Sequence, residues 1–128
     1  MSSMRRWLVV GGTAVCLGIA GPRPAAVAAG HVDAGATLYH ERCSLCHGAD
    51  GTATTPMAQT LTPKPRNHTD GAYMNHLSDA HIATVIKNGG AAVGKSPLMP
   101  PQPDLSPQQL ADLVAFVRTL AVPPYHPQ

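Results

Sequence analysis

The chain is poor in aromatic residues and lacks any segment with the alternating polar and apolar pattern of a β-strand. Aromatic residues make up only 4% of the 128 positions, so its own side chains supply little bulk for a hydrophobic core. Its lysines, Lys64, Lys87 and Lys95, are few and scattered, which argues against a nucleic-acid-binding face. The lack of a strand pattern predicts an all-α fold.

The first 29 residues have the layout of a cleavable secretory signal peptide. Arg5 and Arg6 form a basic start, an apolar run follows over residues 7–20, and small residues lead to a cleavage position near Ala28 or Ala29. The run is shorter than the roughly 20 apolar residues of a membrane-spanning helix. We therefore expect an exported, periplasmic protein, with a retained N-terminal anchor as the alternative.

Removal of this segment leaves one small domain, residues 30–128, with a core at about 31–121 and a proline-rich tail at 122–128. This domain contains six basic and seven acidic residues, so its formal net charge is −1. Only four large aromatic residues remain. A domain this small with so few large side chains is expected to need a buried cofactor to complete its core.

The most specific motif is Cys-Ser-Leu-Cys-His at residues 43–47. Cys43 and Cys46 fall on one side of a helical turn, where each thiol can add across a vinyl group of the same porphyrin. His47 follows directly and can offer an imidazole nitrogen to the iron. This spacing is the attachment motif of a c-type haem, and it predicts one covalently bound haem c with His47 as an axial iron ligand.

A Cys-x-x-Cys pair also occurs in zinc sites and in redox-active disulfides. The chain has no second such pair and no paired histidine spacing that would complete a zinc site. No strand pattern precedes Cys43, as a thioredoxin-like motif would require. Haem attachment is therefore favoured, while zinc and disulfide chemistry remain the alternatives.

Apolar periodicity and capping residues predict the helices. A first helix is expected from Asp33 into the haem motif, and a second, short one within residues 69–77. Ser78 and Gly89 are expected to bound a third helix, and a loop follows as far as Pro103. The last helix is expected to start after Ser106 with a capping box and to end before Pro123.

Pro56 is a candidate for holding His47 in place. A metal-bound histidine normally donates its other ring proton to an acceptor such as a backbone carbonyl. The chain can double back beneath the ligand at Pro56, so the Pro56 carbonyl is one candidate acceptor. An ordinary loop proline is an equally good interpretation.

The sixth iron ligand decides between an electron carrier and a ligand-binding haem. Met99 lies between Pro97 and Pro100, which restrict the backbone and can hold the methionine sulfur towards the iron. Methionine ligation gives a low-spin centre with a raised reduction potential, which suits electron transfer. The two other methionines of the mature chain are weaker candidates. The alternatives are histidines, namely His68, His76 and His81.

Three segments, Cys43 to Gly48, then Asn88 to Gly90, then Pro97 to Pro100, occur in the order found in class I c-type cytochromes, which the chain resembles over about residues 31–121. The resemblance implies a bundle of three to five helices around one covalent haem. It also implies axial ligation by His47 and Met99, an exposed haem edge and a crossing of the first and last helices. At that crossing, the contacts expected from the resemblance are those of Gly35 and Tyr39 with Leu113 and Phe116.

The function expected on these grounds is that of a periplasmic monohaem cytochrome that carries single electrons between redox partner proteins and does no substrate chemistry. One alternative is a haem-carrying electron-transfer subunit of a larger dehydrogenase or oxidase complex. A gas sensor or a peroxidase-like enzyme is a further alternative. The lysine ring of mitochondrial family members is nearly absent, which leaves open whether the chain docks on a strongly acidic partner.

Overall fold

A computed structural model describes residues 29–127, so the predicted signal peptide, apart from Ala29, lies outside the described residues. The α-helices of this range are, in chain order, α1 (Val32–Arg42), α2 (Ser44–His47), α3 (Pro56–Thr60), α4 (Gly71–Met74), α5 (Asp79–Asn88) and α6 (Pro107–Thr119). A single 3-10 turn, Gly90–Val93, follows α5. Within residues 29–127 the only β-type pairing is an isolated bridge between Asp70 and Val122. The all-α prediction is confirmed.

Capping groups define the ends of the two helices that were best marked in the sequence. The Ser78 hydroxyl accepts a hydrogen bond from the His81 amide at 3.1 Å, and α5 ends at Gly89 with a φ of 80°. At α6, the Ser106 hydroxyl accepts from the Gln109 amide at 3.2 Å, while the Gln109 side chain accepts from the Ser106 amide at 2.9 Å. This reciprocal pair is the predicted capping box.

The short helices depart from the sequence-based expectation. The helix expected within 69–77 is reduced to the single turn α4, which starts where the Asp70 carboxylate accepts from the Tyr73 amide at 3.2 Å. The segment after the haem motif contains α3, which was not predicted. There Thr55 caps the first turn and Pro56 occupies its first position, a combination that starts a helix even in a five-residue segment.

The first and last long helices cross at Gly35. A side chain at this position would overlap the carbonyl oxygen of Asp112 and lie 2.9 Å from Cβ of Phe116, so only glycine permits the approach. One turn later the Tyr39 ring packs against the Phe116 ring with their centroids 5.0 Å apart. Tyr39 and Leu113 are both fully buried. The predicted crossing of the terminal helices is confirmed.

The core lies beneath this crossing, where α6 packs on both α1 and α5. Its buried members are Tyr39, Met74, Ile82, Ile86, Leu105, Leu113, Val114, Val117 and Ala121. Arg118 extends the packing with polar contacts, because its Nε donates to Asp79 at 2.7 Å and its Nη1 donates to the Met74 carbonyl at 2.8 Å. These bonds tie α6 to α4 and to the start of α5. No helix in residues 29–127 has the length and apolar character needed to cross a membrane.

Candidate haem-binding site

A cavity of about 650 Å³ opens between α2, α5 and the loops that follow α3 and α5. Its volume falls within the roughly 300–1,000 Å³ of cofactor and ligand pockets. Cys43, Cys46, His47 and Met99 all line it. The fold thus brings the haem motif and the methionine loop, which are far apart in sequence, to one cavity.

His47 is the best-buried polar residue of the site, at 8% exposure. Its Nδ1 lies 2.9 Å from the Arg66 carbonyl oxygen, which can only accept a hydrogen bond. Nδ1 therefore carries the ring proton, and Nε2 keeps the lone pair that an iron ion needs. Burial lowers the pKa of His47, and the bond to Arg66 opposes that effect only in part. The geometry favours a neutral imidazole in the tautomer suited to metal ligation.

The acceptor at His47 corrects the expectation for Pro56. Pro56 is exposed at the start of α3, and the acceptor is the Arg66 carbonyl. The loop before α3 is instead held by the Thr55 hydroxyl, which donates to the Leu45 carbonyl at 2.8 Å. Thr55 and Pro56 thus initiate a helix, and the acceptor for His47 comes from a later part of the chain. One sequence feature could have indicated the Arg66 carbonyl as the acceptor. The prolines at 63 and 65 disfavour regular hydrogen-bonded backbone structure in the segment before Arg66.

His68 is a site residue whose place sequence reasoning missed. Its ring stacks on the His47 ring with centroids 4.2 Å apart and planes 14° from parallel. The Tyr39 hydroxyl lies 3.0 Å from His68 Nδ1. Burial, followed by the charges of His47 and Arg66, lowers the pKa of His68 to about 3, so its ring is neutral. Because it packs against His47 itself, His68 is poorly placed to be the ligand on the opposite face of a haem.

The methionine loop is seated against the end of α5 by two glycines. The Gly90 amide donates to the Met99 carbonyl at 3.0 Å. A side chain at Gly89 would lie 2.9 Å from that same carbonyl oxygen, and one at Gly90 would overlap the carbonyl oxygen of Ser96. Gly89 also has a φ of 80°, which disfavours other residues. Close packing of loop backbone on loop backbone is thus what places Met99 at the cavity.

The other candidate ligands differ in position. Met57 is 40% exposed on α3 and is not among the residues that line the cavity. Met74 lines the cavity but is 3% exposed and belongs to the core cluster. Of the remaining histidines, His81 lines the cavity and His76 does not.

Cys43 and Cys46 both lie at the cavity wall, and neither forms a disulfide bond. Burial is the main cause that raises the pKa of the Cys43 thiol to about 11. Within residues 29–127, no group of three His, Cys, Asp or Glu side chains is arranged to hold a metal ion. Both cysteines line the space that a bound group would occupy.

The charged residues at the cavity are of one sign. Arg42, Lys64, Arg66 and Lys95 line it, and we call these four the basic rim. Among residues 29–127 no Asp or Glu lines the cavity. Arg42 is paired outside it with Asp104 at 2.7 Å, and the Arg66 guanidinium lies 3.8 Å from the centroid of the Tyr73 ring. The fold concentrates four of the six basic residues of the predicted mature chain at one opening.

The family model for cytochrome c matches residues 32–121 of the chain. The chain belongs to the cytochrome c family. This cytochrome therefore binds haem c covalently, and Cys43 and Cys46 have the spacing of the attachment motif. The cavity fits that group, because both thiols and a neutral buried imidazole face it. Membership also indicates a role in haem electron transfer.

The solved structures that are similar to the cytochrome include the following two. One is a chain of the Kuenenia stuttgartiensis reducing HAO-like protein complex Kustc0457/Kustc0458, at 26% identity and a TM-score of 0.61 over 71% of this chain and 43% of that chain. The cytochrome thus spans less than half of that relative. The other is the KustC0563 c-type cytochrome, at 29% identity and a TM-score of 0.55 over 68% of this chain and 96% of that one. No protein with a curated description matches in sequence.

Proposed function

We propose that this cytochrome is a periplasmic, monohaem electron carrier. In it Cys43 and Cys46 form the two thioethers to the haem, and His47 and Met99 are the axial ligands of its iron. The supporting observation is that these four residues, chosen from the sequence, all line one cavity of about 650 Å³. Bound haem iron supplies a one-electron couple, whose potential the axial ligands and their hydrogen bonds set.

Each side chain has a separate task in this proposal. The Arg66 carbonyl accepts the proton of His47 Nδ1 in a hydrogen bond, which leaves the lone pair of Nε2 available to bind the iron. The Gly90 amide holds the Met99 backbone, so the methionine sulfur is presented by the loop that follows α5. Cys43 and Cys46 hold the cofactor covalently, so it is not lost when a ligand bond breaks.

We infer that the basic rim forms the docking face for redox partner proteins. Residues Arg42, Lys64, Arg66 and Lys95 surround the cavity opening, and a partner with an acidic face would be steered to it. This charge arrangement supports an acidic partner even though the lysines are scattered in sequence.

The proposed location follows from the N-terminal segment, with cleavage near Ala28 or Ala29 and a mature domain at residues 30–128. A second candidate is an electron-transfer subunit of a larger dehydrogenase or oxidase complex. It is supported by the likeness to a chain of the HAO-like protein complex and by Leu98, which lines the cavity and is 52% exposed. Isolation of the native protein from its source, alone or with partner chains, distinguishes the two.

Replacement of Met99 by Ala tests the proposed ligation. The wild-type protein should show the near-infrared methionine-to-iron band when oxidised and should resist carbon monoxide when reduced. Met99→Ala should lose the band completely, bind carbon monoxide and have a lower reduction potential, because the soft sulfur ligand is gone.

Met57→Ala is the matched control and should leave both spectra unchanged, since Met57 is exposed on α3. A wild-type protein without the band that binds carbon monoxide readily would refute the carrier and favour a sensor or an enzyme. A band that persists in Met99→Ala would transfer the ligand role to another methionine, with Met74 the next candidate at the cavity.

A further inference from the structure

The stack of His68 on His47 has no part in haem attachment or in the choice of axial ligands. We propose that His68 is a positioning residue that fixes the plane of the His47 ring and, through it, tunes the iron. This inference rests on the proposed ligation by His47. It concerns the orientation of that ligand rather than its identity.

One hydrogen bond does not define the plane of an imidazole. The bond from His47 Nδ1 to the Arg66 carbonyl, at 2.9 Å, sets the direction of one ring edge. Rotation of the ring about that direction remains possible. The His68 ring, nearly parallel to His47 at a centroid distance of 4.2 Å, opposes this rotation because any tilt brings the two rings into collision. Hydrogen bond and stack together leave the ring a single orientation.

His68 can act in this way because it is itself held from two sides. Its backbone amide donates to the Gly51 carbonyl at 2.8 Å. Its Nδ1 lies 3.0 Å from the Tyr39 hydroxyl, and the two rings meet edge-on with centroids 5.7 Å apart. Tyr39 has no exposed surface and packs on Phe116 at the crossing of α1 and α6. The orientation of His47 is therefore tied, through His68 and Tyr39, to the crossing of α1 and α6.

A histidine suits this position better than a purely apolar residue. The stack needs a flat ring, and the buried Tyr39 hydroxyl needs a hydrogen-bond partner, since an unpaired buried hydroxyl costs about 1–3 kcal/mol. A neutral imidazole provides both.

Two variants of similar bulk separate stacking from simple filling of space. His68→Phe keeps a flat ring against His47, whereas His68→Leu fills the site without one. In the oxidised holoprotein, the order of the haem methyl proton resonances reports the orientation of an axial histidine. We expect His68→Phe to keep the wild-type order and His68→Leu to change it, with a shift of the midpoint potential in His68→Leu only.

Tyr39→Phe removes the hydroxyl but keeps the ring packing, so it should alter the methyl shifts less than His68→Leu does. If His68→Leu keeps the wild-type methyl order and potential, or if His68→Phe is changed as much as His68→Leu, the proposal is wrong. Should His68→Leu fail to accumulate, nuclear Overhauser contacts between the His47 and His68 ring protons in the reduced wild-type protein decide. Their absence overturns the proposal, and their presence supports it.

These outcomes are separable from failure of the proposed function. If the wild-type protein lacks the methionine-to-iron band, ligation by Met99 is refuted. The contact between the rings of His47 and His68 can still be measured in that case. A wild-type protein with the band, but with methyl shifts insensitive to residue 68, would refute only the positioning role of His68.

Discussion

The two sides of the cavity are held in different ways. His47 is 8% exposed and is fixed by side chains and backbone packed around it, including the Arg66 carbonyl and the His68 ring. Met99 lies in a largely exposed loop and is held by backbone contacts, such as the 3.0 Å bond from the Gly90 amide. Loops with few buried contacts open at lower free energy than packed cores. We therefore expect the His47 side to persist under conditions that displace Met99.

The largest effect is expected from a substitution at the crossing of α1 and α6, which supports the His47 side of the cavity. Gly35→Ala places a methyl group on the carbonyl oxygen of Asp112 and so pushes α1 away from α6. We expect a loss of about 2 kcal/mol or more in the free energy of unfolding, as for other overpacked cores. The loss would occur although alanine favours a helix by about 1 kcal/mol over glycine. Denaturant unfolding of the holoprotein measures it.

Ala34→Gly, at the neighbouring exposed position of α1, is the control. It should cost only the difference in helix propensity, about 1 kcal/mol. A Gly35→Ala protein as stable as the wild type would show that the helices can separate without loss, contrary to the close crossing described here.

The second prediction concerns a substitution that should disturb only the Met99 side of the cavity. In Gly90→Ala the added methyl group overlaps the carbonyl oxygen of Ser96 and should displace the methionine loop. The near-infrared methionine band should weaken or vanish, while the covalent haem and the histidine ligand remain. Ala92→Ser is the control, because Ala92 is exposed in the same segment and does not line the cavity. Equal loss of the band in both variants would contradict this assignment.

A third prediction concerns charge on the exposed side. Lys95→Glu should slow oxidation of the reduced protein by ferricyanide, an anion, by roughly twofold to tenfold at low ionic strength, because the basic rim attracts anions. It should speed the reaction with a cationic cobalt oxidant. Both effects should fade at high salt. Ala34→Glu, away from the cavity on α1, should change neither rate to a comparable extent. Similar rates in the two variants would argue against electron exchange at the basic rim.

The smallest expected effect is a pH dependence at the helix crossing. The backbone amide of His31 and the Gln108 side chain, at 2.7 and 2.8 Å, hold the pKa of Asp112 below its ordinary value. A carboxylate with a depressed folded-state pKa adds stability above its unfolded-state pKa of about 4. That contribution is lost as the pH falls through the lower folded-state value.

Asp112→Asn should accordingly be less stable than the wild type at neutral pH, with a difference that shrinks in acid. Equilibrium unfolding between neutral and acidic pH measures the difference. Glu41→Gln, an exposed carboxylate of α1, provides the comparison. A difference between Asp112→Asn and the wild type that stays constant down to low pH would contradict the assigned pKa shift.

Residues whose role depends on neighbours in sequence were predicted well. Ser106 and Gln109 form the capping box because both lie in one helical turn. Cys43, Cys46 and His47 lie in and beside the single turn α2, and Met99 reached the same cavity through a proline-rich loop. Their roles as haem ligands remain predictions. The prediction of Pro56 as the acceptor for His47 was wrong, because Pro56 starts a helix and the Arg66 carbonyl takes that place.

By itself, the sequence determined the helical class, the helix caps, the haem attachment motif and the loop with Met99. All of these depend on residues within a few positions of one another. Only the tertiary structure decided that the Arg66 carbonyl meets His47, that His68 stacks on it, and that scattered cations form the basic rim. These contacts join separate loops and the crossing of α1 with α6, and no local pattern encodes which distant backbone or ring will arrive at a given side chain.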